Sequence, residues 1–282
     1  FGYTVIEAVV VGIAMTFSST ILGIKLLPTT VLHHRHIGEI VISLLLIQDL
    51  LAIIALLFIG FLGSTGDRGD LALLSLAAGL PALIIGTLLV VRFVLLPLLE
   101  KFDEFHEYIF LLAIGWCLTI AQLANSLGLS YEVGGFIAGV SLATSPIAQY
   151  IATHLKPLRD FFLVMFFFTV GASIDLSLLL GVWVPTLVLA MAVLMIKPVT
   201  FMRLLHMQGE SIPNAREVGF RLGQASEFSL LVSYIAIHAS LLSMESAVIL
   251  QAATVLTLLL NSYFVVSRYP NPIAADPALR RD

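Results

Sequence analysis

Apolar segments of about 20 residues recur along almost the whole chain and are separated by short polar stretches. A helix of that length spans the hydrocarbon core of a bilayer, which is about 30 Å thick. Charged residues make up only 11% of the 282 residues, whereas an ordinary soluble domain carries about 25%. The sequence therefore predicts an all-α polytopic membrane protein.

We predict nine membrane spans from these segments. Their approximate bounds are 4–27, 37–61, 71–97, 107–127, 131–145, 159–176, 181–205, 216–238 and 244–267. The fifth span is short and rich in small residues, Gly134 to Gly139, which would let neighbouring helices approach closely.

With this span count, almost all the basic residues fall on one side of the membrane. Of the 14 Lys and Arg residues, only Arg68 falls on the even-numbered loops, and Lys197 lies inside span seven. The others belong to the opposite side: Lys25, Arg35, Arg92, Lys101, Lys156, Arg159, Arg203, Arg216, Arg221, Arg268, Arg280 and Arg281. Because basic residues concentrate in cytoplasmic loops, we expect the amino end outside and the carboxyl end in the cytoplasm.

Several functional classes are not supported by the sequence. The single cysteine, Cys117, cannot form an intrachain disulfide or a cysteine-based metal cluster. There is no phosphate-binding loop, dinucleotide-binding glycine motif or nucleophile elbow. We therefore predict a non-enzymatic protein without a bound cofactor or a nucleic-acid partner. The chain starts at Phe1 without a cleavable signal, so we expect a fragment of a longer polypeptide.

Asp49 is the strongest candidate for a functional residue. It lies with Gln48 near the middle of the apolar run Ile37–Phe61, where a charge costs about 2.5–3.5 kcal/mol on insertion scales. An acid at that depth indicates an ion or proton site. The alternative is an acid paired with a buried base that specifies packing.

Lys197 is a second charge inside a predicted span. It precedes Pro198 and lies well inside the cytoplasmic end of its span, deeper than a lysine that extends to the interface usually lies. We expect it to act as a counter-charge, either to a carboxylate or to exposed helix carbonyls.

Two polar stretches interrupt spans one and eight, Thr16–Gly23 and Gly223–Phe228. Their hydroxyls could bond to the carbonyls of a continuous helix, or the helices could be discontinuous and face an ion pathway. Glu227, in the second stretch, is either a proton-holding acid or a structurally paired one. The two spans run in opposite directions and each neighbours a span with a buried charge, an order that indicates an inverted repeat with two crossing broken helices.

These motifs together resemble those of the Kef-like monovalent cation/proton antiporters. The matching stretches are Thr16–Thr20, Leu46–Asp49, Phe166–Gly171 and Gly223–Phe228, and Lys197-Pro198 resembles the Lys-Pro pair of the sodium/proton antiporter NhaA. Each motif is weak alone, but their presence in order along almost the whole chain is specific.

The resemblance implies an NhaA-like fold of thirteen spans, of which the first four are absent here. It also implies a homodimer in the inner (plasma) membrane, with an elevator-like core and a cytoplasmic nucleotide-binding regulatory domain outside this chain. The expected division is a core part at 1–61, a linker and dimerisation-side helix at 62–100, the remaining spans at 101–267 and a cytoplasmic linker tail at 268–282.

By matching position, the resemblance also assigns the site. Asp49 would bind the metal cation or the proton, with Gln48 in place of the Asp or Asn of some relatives. Lys197 would match the lysine that pairs with the acid in electrogenic relatives. The crossing points would be formed by Ser18, Ser19 and Thr20 and by Gln224, Ser226 and Glu227.

We therefore expect exchange of K⁺ or Na⁺ for H⁺ by alternating access. The alternatives are a ligand-gated, channel-like K⁺ efflux system and a membrane sensor that has lost transport. The sequence does not choose between K⁺ and Na⁺, because selectivity depends on finer geometry, nor between electrogenic and electroneutral exchange.

Overall fold

The computed structural model describes residues 2–28, 36–63, 78–101, 106–143, 145, 147–272 and 279–280. Helices dominate these residues, and within them the only β pairing is an isolated bridge between Asn271 and Arg280. The helices are α1 (Val5–Thr16), α2 (Thr20–Lys25), α3 (His36–Gly63), α4 (Leu80–Val90), α5 (Leu96–Lys101), α6 (His106–Ser126), α7 (Tyr131–Ala143), α8 (Ala148–Ser173), α9 (Leu176–Met207), α10 (Ile212–Arg221), α11 (Glu227–His238) and α12 (Met244–Arg268).

The all-α prediction is confirmed. Within the described ranges, six stretches are long and apolar enough to cross a membrane by length and composition, namely Val5–Lys25, His36–Gly60, Leu80–Leu98, Tyr108–Ser126, Leu176–Met207 and Met244–Arg268. Helices α7 and α11 are apolar but shorter. Predicted span six is longer than expected, because α8 begins at Ala148 rather than near 159 and carries the basic loop residues Lys156 and Arg159 on its first half.

Parts of the predicted topology lie outside the described residues. These parts include Arg35, Arg68, most of the polar loop at 62–70 and the first residues of span three. Helix α4 begins at Leu80 and continues through a π-helical turn, Val91–Leu95, into α5.

The chain divides into two compact units. One contains Phe1–Gly63 and Ser173–Asp282, and the other contains Ser64–Ala172. The first unit therefore joins both ends of the chain and holds both polar stretches, Asp49 and Lys197. The four-part division predicted from the sequence stays a prediction.

Predicted span one is a broken helix. Helix α1 begins with a capping box in which Thr4 and Glu7 bond to each other's backbone N–H groups, a common device for the unpaired donors of a first turn. It ends at Thr16, and Phe17 is extended (φ −75°, ψ 144°). Ser19 then caps α2 by accepting a hydrogen bond from the Leu22 N–H. This confirms the discontinuous helix.

Predicted span eight is broken in the same way. Helix α10 ends at Arg221 and α11 begins at Glu227, and the residues between them are not helical. Ser226 is extended (φ −118°, ψ 160°) and caps α11, in a reciprocal box with Ser229. The second discontinuous helix is confirmed as well.

Two glycines allow close helix contacts. A Cβ added to Gly219 on α10 would lie 2.6 Å from the carbonyl oxygen of Pro198 on α9. In the other unit, a Cβ on Gly134 of α7 would lie 2.6 Å from Ala121 Cα of α6. The small residues predicted to mediate close packing do so at Gly134, whereas Gly139 has open space around it.

Candidate functional site

Asp49 and Gln48 of α3 both contact the first helix break. The Thr20 hydroxyl donates to the Asp49 carboxylate, 3.0 Å from Oδ1 and 3.1 Å from Oδ2. The Ser18 N–H, which has no helical partner at the break, donates to Gln48 Oε1 at 2.9 Å. The Gln-Asp pair therefore contacts the break itself at Ser18 and the first residue of α2 at Thr20.

The two breaks bond directly to each other. The Ser18 hydroxyl donates to the Leu222 carbonyl at 2.7 Å, and the Ser229 hydroxyl donates to the Ala14 carbonyl at 2.7 Å. Both hydroxyls are buried. Carbonyls at helix ends lack intrahelical partners, and these serines supply a partner from the opposite broken helix.

Lys197 bridges the same two breaks through backbone atoms. Its Nζ donates to the Phe17 carbonyl and to the Gln224 carbonyl, each at 2.7 Å. No ion pair within 4 Å joins Lys197 to Asp49 in the part of the chain that the structure describes. Of the two partners left open by the sequence, the lysine therefore contacts helix carbonyls, whose partial negative charge favours a cation.

Glu227 places a second carboxylate beside the breaks. It is the first residue of α11, where the positive end of the helix dipole favours an acid. Its Oε2 is buried and has no hydrogen-bond partner among the described residues. The Ser19 hydroxyl and the Asp49 carboxylate lie close enough to interact with it.

Helix α12 supplies polar contacts that sequence analysis missed. The Asn261 amide donates to Gln224 Oε1 at 2.5 Å and to the Phe220 carbonyl at 3.0 Å. The Thr257 hydroxyl accepts from the Ala225 N–H at 3.1 Å. A signal was present, because residues 257 and 261 are four apart and share one face of a predicted apolar helix.

Glu7 is another residue that the sequence analysis did not identify. One carboxylate oxygen accepts from the Ser243 N–H at 3.0 Å and the Ser246 hydroxyl at 2.9 Å. The other accepts from the Thr4 N–H and hydroxyl, each at 2.9 Å. One buried acid thus caps the first turns of both α1 and α12. The sequence did contain a signal for Glu7, because it is the only acidic residue within the predicted span 4–27.

The structure brings the predicted site residues into one compact unit. Ser18 bonds to Gln48 and Thr20 bonds to Asp49, and Lys197 links this break to the Gln224 backbone. Ser19 and Ser226 mainly cap α2 and α11. In the described ranges, no group of three or more His, Cys, Asp or Glu residues could hold a metal ion. The assignment of these residues to ion binding stays a prediction.

A polytopic helical protein with two bonded helix breaks and an acid beside them fits a class of secondary transporters. Residues 1–266 match the family described as "Sodium/hydrogen exchanger, transmembrane". The chain belongs to this family of membrane transporters.

Named relatives are similar along most of the chain. K(+) efflux antiporter 4 of Arabidopsis thaliana is 29% identical over 263 residues, which cover 89% of this chain and 44% of the relative. The glutathione-regulated potassium-efflux system protein KefC of Salmonella arizonae is 29% identical over 265 residues, 92% of this chain and 42% of the relative.

A third relative is named for a different substrate. The iron transporter MagA of Paramagnetospirillum magneticum is 25% identical over 272 residues, 94% of this chain and 61% of the relative. The chain thus spans from under half to about three fifths of the length of these three relatives.

Proposed function

We propose that the protein exchanges a monovalent cation, K⁺ or Na⁺, for protons, and that Asp49 carries either one. The observation that carries this proposal is the position of Asp49: its carboxylate bonds to Thr20 at the point where two broken helices bond to each other. A proton and a cation compete for the same carboxylate, so binding one releases the other.

The groups around Asp49 suit a hard, oxygen-binding cation. The Thr20 hydroxyl bonds to its carboxylate, and the Gln48 amide oxygen contacts the same helix break at Ser18. Oxygen ligands of this kind suit alkali cations. We assign Ser18, Ser19, Gln224 and Ser226 to shaping this site, since they bond to or cap the backbone at the two breaks.

Two further charges bear on the number of protons moved. Lys197 donates to two carbonyls. We propose that its positive charge compensates the partial negative charge of these helix ends while Asp49 exchanges a cation for a proton. The unbonded Oε2 of Glu227 makes this residue the candidate for a second exchangeable carboxylate. If Glu227 also binds and releases a proton in each transport cycle, two protons move per cation and exchange is electrogenic. If it does not, exchange is electroneutral.

We propose alternating access by an elevator-like movement of a core against a dimerisation domain, in a homodimer. In support, a single compact unit contains both breaks, Asp49 and Lys197, so these groups can move together. The proposed location is the inner membrane, with the amino end outside, the carboxyl end cytoplasmic and a regulatory domain on that side. The names of two relatives, which describe potassium efflux, favour K⁺.

The Asp49→Asn variant tests the carboxylate. We expect it to abolish cation-dependent proton flux in proteoliposomes that contain a pH-sensitive dye, when K⁺ and Na⁺ are added in turn. Asp175→Asn is the matched control, because Asp175 is exposed and caps α9, a role that Asn fills equally well. Normal flux in Asp49→Asn would refute the mechanism.

The same vesicles distinguish antiport from the two alternative functions, a channel and a sensor. Steady single-channel current without a cation-driven pH change would indicate the ligand-gated efflux channel. Neither flux nor current in the unmodified protein would indicate a membrane sensor.

A further inference from the structure

Arg221, the last residue of α10, is a buried arginine outside the proposed ion site. It is only 2% exposed. Its guanidinium donates to the Leu26 carbonyl at 2.8 Å and to the Pro270 carbonyl at 2.8 Å. It also bonds to Glu217 Oε1, from Nε at 2.9 Å and from Nη2 at 2.8 Å. A buried charge is costly unless it is paired, and here the pairing joins three separate parts of the chain.

One of these parts is the segment that follows α12, which we call the exit segment (Tyr269, Pro270 and Asn271). The Tyr269 ring lies 5.7 Å from the Arg221 guanidinium carbon and 6.3 Å from the Phe220 ring. The Asn271 amide donates to the Val266 carbonyl at 3.0 Å and to the Tyr269 carbonyl at 2.8 Å. The exit segment is therefore fixed against both α10 and the end of α12.

The second part is the carboxyl end of α2. Leu26 caps this helix, and α2 has only six residues, so it is about 9 Å long at 1.5 Å per residue. Its first residue, Thr20, bonds to Asp49. A helix this short, hydrogen-bonded along its length, moves largely as one body. A shift at Leu26 therefore reaches the Thr20 hydroxyl.

Nonpolar packing strengthens the same connection. Leu27, directly after the α2 cap, is buried in a cluster with Leu45 of α3 and Leu222, the residue after Arg221. Leu45 lies one helical turn before Asp49. The polar link through Arg221 and the nonpolar cluster thus meet at the same end of α2.

From this geometry we infer that Arg221 is a positioning residue that couples the exit segment to the Thr20–Asp49 contact. Displacement of the exit segment changes the position of α2 and thereby the cation affinity of Asp49. This makes the exit segment a control point for transport. The inference rests on the proposed function for its effect on affinity, but the coupling between the exit segment and α2 can be measured independently.

Two variants break the connection at different points. Arg221→Lys keeps the positive charge but loses the planar fork that reaches several acceptors at once. Tyr269→Ala removes the ring that packs on Arg221 and Phe220, and it removes neither partner of the hydrogen bond from Arg221 to the Leu26 carbonyl. The matched controls are Arg216→Lys, an exposed arginine on the same helix, and Tyr263→Ala, a tyrosine of α12 that is 79% exposed.

The first measurement is hydrogen exchange of the α2 amides in the whole protein in detergent. We expect both test variants to exchange faster at residues 22–26, and both controls to match the unmodified protein. Unchanged exchange in Tyr269→Ala would overturn the coupling, because a purely local role of Arg221 does not extend from the exit segment to α2. This readout does not depend on transport.

The second measurement is the cation concentration that half-saturates proton flux in proteoliposomes. We expect a change of at least about fivefold in each test variant, a typical size for coupling between sites, with a smaller change in maximal flux. The double variant should shift half-saturation no further than Arg221→Lys alone, because both changes act along one path. Additive shifts, or none, would overturn the inference. Loss of flux in the unmodified protein would instead refute the proposed function, while the exchange result would still stand.

A folding defect does not confuse the two outcomes. If Arg221→Lys elutes as an aggregate on size-exclusion chromatography, Tyr269→Ala alone still decides the question through both measurements.

Discussion

Lys197 shows how one residue can compensate two helix ends. Each carbonyl that it contacts, Phe17 and Gln224, belongs to a different broken helix. A buried carbonyl without a partner costs about 1–3 kcal/mol, so the lysine stabilises both breaks at the same depth. Among the described residues, Lys197 forms no ion pair with Asp49.

Replacement of Lys197 should therefore destabilise the fold before it affects ion binding. We expect Lys197→Ala to lower the free energy of unfolding by about 2–5 kcal/mol, because both carbonyls lose their donor. Lys197→Arg should lose less, since it keeps the charge and the donors. Thermal unfolding followed by size-exclusion chromatography measures the effect. Lys156→Ala, at an exposed lysine, is the control, and equal melting temperatures in the two Ala variants would contradict this role.

Asn261 should contribute to the stability of the fold through its hydrogen bond to Gln224. We expect Asn261→Ala to destabilise the protein by about 1–3 kcal/mol, because it removes the partner of Gln224 Oε1 and of the Phe220 carbonyl. The same substitution at Asn125, which is exposed near the end of α6, should change stability by less than about 0.5 kcal/mol. Denaturant or thermal melts compare the two, and a neutral Asn261→Ala would mean that water replaces the lost donor.

At the residue scale, the sequence predicted which residues lie at the candidate site better than it predicted their hydrogen-bond partners. Asp49, Gln48 and Lys197 stood out because a charged or amide group is rare in an apolar helix. Whether Lys197 pairs with an acid or with carbonyls depends on side-chain reach, which a sequence does not contain. Asn261 was overlooked because it has no charge and lies near the end of its predicted span, and its partner lies 37 residues away.

At the scale of elements, the breaks were predictable and the helix ends less so. Serine and threonine at Ser18–Thr20 and Ser226 favour caps over helix interiors, and both breaks occur there. Helix α8 was misplaced because the hydropathy pattern ends where charged residues begin, whereas backbone hydrogen bonds continue through them to Ala148.

The close packing of α9 and α10 gives a test at this scale. We expect Gly219→Ala to destabilise the protein by about 1–3 kcal/mol, because the new methyl would press on the backbone oxygen of Pro198. Gly12→Ala on α1 has nothing within 4 Å, and it should be neutral or stabilise by up to about 1 kcal/mol through helix propensity. Melting temperatures of the two variants give the comparison. A destabilising Gly12→Ala would contradict the packing explanation.

At the scale of the molecule, the alternation of basic residues predicts a side of the membrane for each helix end. Helix α9 offers a direct test, because it joins an end predicted outside at Leu176 to one predicted inside at Gln208, and both residues are exposed. In a Cys117→Ser background, Leu176→Cys should react with a membrane-impermeant thiol reagent in intact cells. Gln208→Cys should react only after permeabilisation. The opposite pattern would invert the topology.

The overall fold class followed from the sequence, but the connection between distant parts did not. Hydropathy and charge alternation predicted helices and an order of spans, and both breaks fell in predicted spans. No local pattern indicates that Glu7 bonds to Ser243 and Ser246, or that Arg221 reaches Leu26. These contacts depend on the three-dimensional arrangement of segments about 200 residues apart.

The bonding between the two breaks also imposes an order on biosynthesis. Ser18 finds its acceptor 204 residues later and Phe17 its donor 180 residues later. At about 5–20 residues per second, translation needs roughly 10–40 s to supply the Leu222 carbonyl. During that interval the first broken helix and its partners on α3 are already made, while Lys197 and the Leu222 carbonyl do not yet exist. The nascent chain must therefore keep this helix hydrated, or held by the insertion machinery, until α9 and α10 leave the ribosome.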